Sequence, residues 1–124
     1  MKIIIAGSRN AQWSDVLLGI CKTRFFYTEK IDCIISGGAN GADSWGEKWA
    51  YSMQIPVEMF IPDWDNHGKR AGMLRNIDMA NASQGLLAIW DEESKGTKQM
   101  IEVAKQKGLM ISVFSTKTKK FLEY

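Results

Sequence analysis

Ile34-Ile35-Ser36-Gly37-Gly38-Ala39-Asn40-Gly41-Ala42-Asp43, running on into Ser44-Trp45-Gly46-Glu47-Lys48-Trp49, is the stretch on which the reading of this chain turns. It has the pattern of a short apolar strand, a glycine-rich turn and the first turns of an amphipathic helix. Glycines at 37, 38 and 41 let backbone amides approach a ligand with no Cβ in the way. The helix that follows directs its unpaired N–H groups and the positive end of its dipole into the same turn. An anion, most often a phosphate, suits such a place. A tight strand-to-helix turn with glycine for steric reasons alone is the competing reading. The GGxxG spacing does not decide between them, because it is neither GxGxxG nor a Walker loop.

Around this stretch the chain has 124 residues and a formal net charge of +2, which predicts one ordinary domain, 1–124, able to bury a core unaided. No apolar run approaches the ~20 residues that span a bilayer, and Met1-Lys2-Ile3-Ile4-Ile5-Ala6 reads as a first strand rather than a leader. A cytoplasmic location is expected. Cys21 and Cys33 lack CxxC spacing, so both are expected to be buried free thiols. The charge is too small to argue for nucleic acid or a membrane.

Outward from the glycine turn, apolar runs alternate with helical periodicity. Strands are predicted at 2–6, 31–35, 57–61, 85–90 and 109–114. Between them lie four helical faces: Trp13-Val16-Leu17-Ile20-Cys21, Ala42-Trp45-Trp49-Met53, Leu74-Ile77-Asn81, and Thr97-Met100-Ile101-Ala104. Residues 63–69 read as a loop and 115–124 as a basic tail. The expected fold is α/β: a Rossmann-like, doubly wound, mainly parallel five-stranded sheet in three α/β/α layers, ordered 3-2-1-4-5. In such folds ligands bind beyond the carboxyl ends of strands flanking the switch point.

That rule gathers the candidate ligand-binding residues. Strand one ends in Gly7-Ser8-Arg9, and strand two in Ser36-Gly37-Gly38-Ala39 with Gly41, Ala42 and Asp43. Strand three leads to Asp63-Trp64, and strand four ends in Trp90-Asp91 before Gly96-Thr97. Arg70, Arg75 and Asn76 bracket the third helix, where Arg75 is read as lying apart from the core face. Arg9 offers a planar fork for phosphate oxygens, against plain solvent exposure. Asp43 either accepts a ribose hydroxyl or complements its helix dipole. Trp64 and Trp90 are candidates to stack a base, with core packing the competing role for Trp90. No nucleophile set or metal cluster is legible, so catalytic residues are unassigned and no metal or fixed cofactor is expected.

These ordered motifs make the chain resemble the SLOG superfamily, named for the Smf/DprA and LOG proteins. The small stand-alone YspA-like, YpsA-related group is the most similar. The resemblance rests on Gly7-Ser8-Arg9, SGGANGAD at 36–43, Pro62-Asp63-Trp64, GKRAGMLRN at 68–76 and Gly96-Thr97-Lys98-Gln99-Met100. It implies a Rossmann-like domain, bacterial or phage, that binds nucleotides or nucleotide-derived ligands such as ADP-ribose or NAD-like molecules. The LOG branch, which cleaves nucleoside monophosphates, carries PGGxGTxxE. This chain has neither early glycine, and Met100 stands where that branch has glutamate. A binding domain that senses or sequesters a nucleotide is therefore expected. The alternatives are a hydrolase of N-glycosidic or phosphate bonds, with Asp43, Asp63, Asp91 or Glu92 as its acid or base, and a single-strand nucleic-acid binder using the tail. Homo-oligomerisation is the further expectation, through an exposed Phe25-Phe26-Tyr27 patch.

Overall fold

The computed structural model describes all residues, Met1–Tyr124. In chain order the elements begin β1 (Lys2–Gly7), α1 (Trp13–Lys22), α2 (Phe25–Thr28), β2 (Cys33–Ser36), α3 (Ala42–Ser52) and β3 (Val57–Met59). There follow α4 (Trp64–His67), a 3-10 turn (Gly68–Arg70), α5 (Ala71–Asn81), β4 (Gly85–Trp90), α6 (Lys95–Gln106), β5 (Met110–Ser115) and β6 (Phe121–Leu122). One sheet runs β3-β2-β1-β4-β5-β6. It is parallel except where β6 pairs antiparallel with β5.

Alternation along the strands sorts the core onto two faces. Ile3, Ile5, Ile34, Leu87 and Ile89 pack under α1, α2 and α3 with Val16, Ile20 and Ala50. Ile4, Ala6, Ile35, Leu86 and Ala88 pack under α5 and α6 with Met79, Met100 and Ala104. The fold is therefore the Rossmann-like three-layer α/β/α expected from sequence, with the switch point between β1 and β4.

Several details differ. The sheet has six strands because the tail folds back: Phe114 pairs with Phe121 across the ladder, and their rings meet edge-on at 5.2 Å. Lys119, at φ +59 in the hairpin, ion-pairs with the buried Asp15 of α1. Residues 64–70 form α4 and the 3-10 turn rather than a loop, since the Asp63 side chain caps α4 by accepting the Asn66 N–H at 3.2 Å.

On α3 the buried residues are Ala42, Asp43, Gly46 and Ala50. A Cβ on Gly46 would stand 2.7 Å from Ile5 Cγ2, so small residues bring this helix close to β1. Trp45 and Trp49 pack sideways onto Trp13 and Phe26, and Met53 is exposed. On α5 the buried positions are Ala71, Asn76, Met79 and Ala80, while Leu74 and Ile77 are half-buried. Cys33 is buried but Cys21 is exposed, because it lies at the solvent margin of the α1 stripe. Phe25 belongs to the core and Phe26 packs against Trp49, so only Tyr27 of that trio is exposed.

Candidate functional site

A cavity of about 460 Å³ opens at the carboxyl edge of the sheet, lined by the ends of β1 and α3 and by α4, α5 and α6. Its walls are of three kinds. Arg9, Lys69, Arg70 and Lys95 form a cationic rim; Trp64, Met73, Met79 and Met100 form an apolar wall; and Asp43, Arg75 and Asn76 lie with them as polar lining. Its volume is typical of small-ligand sites.

Ser8 ties the turns together without lining the cavity. It is buried, and its N–H donates to Ile89 O at 2.9 Å. Its Oγ accepts the Asp91 N–H at 2.9 Å, and its carbonyl accepts the Ala42 N–H at 3.2 Å. Gly41 crosses this knot at φ +76, where a Cβ would stand 2.4 Å from the carbonyl oxygens of Ser8 and Arg9.

The glycine turn after β2 is organised from inside the protein. Ser36 Oγ donates to Glu47 Oε2 at 2.6 Å and accepts the Gly38 N–H at 3.1 Å. Asp43 Oδ2 accepts the Ala39 N–H at 3.3 Å. The Arg75 guanidinium crosses over Gly37, Nη1 donating to its carbonyl at 2.7 Å and Nε donating to Asn76 Oδ1 at 3.0 Å. A Cβ on Gly37 would lie 2.5 Å from that Nη1, so a side chain there would displace the guanidinium from this position. Asn76 Nδ2 then donates to Gln99 Oε1 at 3.1 Å, joining α5 to α6.

Asp43 is only 5% exposed. Burial pushes its carboxyl up to about 6, against the pull of the Ala39 N–H, the Arg75 charge and the Gly7 N–H. Burial likewise draws the Arg75 guanidinium below its ordinary value, though an arginine remains charged.

After β4, Asp91 is turned inward on its own loop. Its Oδ1 accepts the N–H groups of Glu93 at 2.9 Å and Ser94 at 2.7 Å. Burial works against the Asp91 carboxylate, but these N–H donors hold it below the usual range. Trp90 is buried and its Nε1 donates to Ser94 O at 3.0 Å. Ser94 caps α6, its Oγ accepting the Thr97 N–H at 3.5 Å, while its carbonyl accepts the Lys98 N–H at 3.1 Å. The first-turn N–H groups of Lys95 and Gly96 stay without an intrachain acceptor.

Of the residues expected from sequence, Gly7, Arg9, Ala39, Asp43, Trp64, Arg70, Arg75, Asn76, Gly96 and Thr97 line this one cavity. Ser8, Ser36, Gly37, Gly38, Gly41 and Ala42 build the turns behind it, while Asp63, Trp90 and Asp91 serve caps and core. Arg75, read as separate from the core, is half-buried and bonded to the glycine turn. Lys69, Met73, Gln99 and Met100, which lie inside the quoted motifs without being singled out as ligand-binding, also line the cavity, as do Lys95 and Met79, which no motif marks. Their helical register carried the available signal.

A profile of the YspA, cpYpsA-related SLOG family matches residues 1–67, which hold β1, the glycine turn and α3. The Gene 61 protein of Mycobacterium phage D29 is 36% identical over 90 residues, covering 68% of this chain and 72% of that protein. No solved structure gives a significant match. No helix is long and apolar enough to cross a membrane. At a coarse level the family points to binding or processing of nucleotide-related ligands. The chain belongs to the YspA, cpYpsA-related SLOG family.

Proposed function

We propose that the cavity binds a nucleotide or nucleotide-derived ligand, of the ADP-ribose or NAD type, and that the protein acts as a sensor or sequestering domain for it. The observation that carries this reading is the charge of the lining. Five cations (Arg9, Lys69, Arg70, Arg75 and Lys95) face one cavity with a single carboxylate, Asp43, in a chain whose net charge is only +2. The open N–H groups of Lys95 and Gly96 at the start of α6 add donors of the kind that hold phosphate. Trp64 and the methionines offer the apolar surface a base requires.

Binding is favoured over hydrolysis because the other candidate acids, Asp63, Asp91 and Glu92, do not line the cavity. Asp43 alone would have to serve as both acid and base. Pure protein incubated with nucleotides is expected to give no product by chromatography.

Titration calorimetry with ADP-ribose tests the binding reading. Arg9→Ala is expected to weaken the complex by about 2 kcal/mol, roughly thirtyfold. Arg9 is exposed at the rim, so the fold should be unaffected. Equal affinity in wild type and variant would remove Arg9 from the site.

A further inference from the structure

The glycine turn carries its own negative charge. Asp43 Oδ2 occupies the Ala39 N–H, and Ser36 Oγ occupies the Gly38 N–H while being held by Glu47. Asp43 and Glu47 both act on this turn, Glu47 raising the Asp43 carboxyl by its charge. A phosphate seated there would meet two carboxylates and find two of the turn's amides taken. The cations of the rim and the open start of α6 offer the better seat. The polar floor then faces the uncharged middle of the ligand.

On that floor an acceptor and a donor stand side by side. The Asp43 carboxyl lines the cavity and has no atom sealed away without a partner. Arg75 is fixed through Nη1 and Nε, which leaves Nη2 without a protein partner. A Cβ placed on Gly37 would touch both groups, 2.5 Å from Arg75 Nη1 and 3.0 Å from Asp43 Oδ2. Two neighbouring hydroxyls suit this pair: one donates to the carboxylate while the other accepts from the guanidinium. The remaining apolar wall of Trp64, Met73, Met79 and Met100 is left for a flat base.

We infer that Asp43, with Arg75 beside it, is a specificity-determining pair that reads the vicinal diol of a ribose, while the phosphates sit on the rim rather than on the glycine turn. This rests on the nucleotide reading above and adds the orientation and the sugar that the site accepts. A deoxyribose ligand would displace water from the Asp43 carboxylate and return no hydroxyl to the lone pairs that the Ala39 N–H does not use, which costs affinity.

The test is calorimetry with the four ribonucleoside 5′-diphosphates and their 2′,3′-dideoxy counterparts on wild type, Asp43→Ala and Asp43→Asn. The best-bound ribonucleotide is expected to bind wild type at least about tenfold more tightly than its dideoxy form. In both variants that ratio should fall to less than about twofold. The wild-type comparison depends on no variant folding, and Asn keeps an oxygen for the Ala39 N–H. Equal affinities for ribo and dideoxy forms in wild type would overturn the inference while leaving the nucleotide reading in place. An undiminished ratio in Asp43→Asn would assign the diol to other residues and overturn it as well. Absence of binding by every diphosphate would overturn the nucleotide reading, and this inference with it.

Discussion

Asp43→Asn is expected to make the protein more stable at pH 7.5 by about 3 kcal/mol, with the gain vanishing as the pH falls toward 4. The folded environment raises this carboxyl from 3.8 to about 6, chiefly by burial, and each pKa unit corresponds to about 1.4 kcal/mol. Between those two values the folded state holds a proton that the unfolded state has released, so stability declines as pH rises through that window. Above it the whole cost of burying the charge is present; below 3.8 it is absent. Asparagine has nearly the same shape, still offers the Ala39 N–H an oxygen, and carries no charge. Urea unfolding of both proteins at pH 7.5 and pH 4 measures the difference directly. Equal stability at pH 7.5 would mean that the carboxylate is solvated better than its burial indicates. A residue that costs stability and lines a cavity is the pattern expected of a functional group.

Gly41→Ala should have the opposite and larger effect, a loss of more than about 4 kcal/mol or failure to fold. Two causes coincide at this position. The backbone has φ +76 and ψ −123, a conformation open to glycine and strained for any L side chain. The added methyl would also lie 2.4 Å from the backbone carbonyl oxygens of Ser8 and Arg9, the first of which is held by the Ala42 and Ala11 N–H groups. Gly96→Ala is the matched control: nothing stands within 4 Å of a Cβ there, and alanine in a first helical turn is neutral or favourable by up to about 1 kcal/mol. Thermal melts of the two variants should therefore separate widely. A Gly41→Ala melt close to wild type would show that the crossing of the two turns is looser than described.

The sheet was legible because its central strands, β1 and β4, are runs of aliphatics bounded by glycine. Ile3-Ile4-Ile5 and Leu86-Leu87-Ala88-Ile89, buried on both faces, leave little else for those residues to be. Helix faces were harder. Periodicity weights bulky residues, so it pointed to Trp45, Trp49 and Met53 on α3, whereas close approach to β1 selects Gly46 and Ala50. On α5 the same weighting favoured Leu74 and Ile77 over Asn76 and Met79, which face the sheet and α6. The tail read as a solvated lysine run, because nothing local announces that Phe121 will find Phe114 or that Lys119 will reach Asp15.

The candidate site shows the same division. Glycine-bearing turns at strand ends revealed where it lies, since topology alone brings those ends together. Sequence did not reveal which polar residues of those turns look inward. Asp91 and Asp63 cap their own segments, and the amides of Gly38 and Ala39 are met by Ser36 and Asp43. Those are decisions of side-chain geometry, made a few ångströms from where the motif ends.

Amide chemical shifts followed by NMR while ADP-ribose is added test the central claim most directly. That claim is that turns from distant parts of the chain form one anion-holding cavity at the carboxyl edge of the sheet. The largest shifts are predicted at Gly7, Arg9, Ala39, Lys95, Gly96 and Thr97, which line that cavity from three separate turns. Shifts centred on Asp32, Gln54 and Gly108 at the opposite edge, or none at any concentration reached, would contradict it.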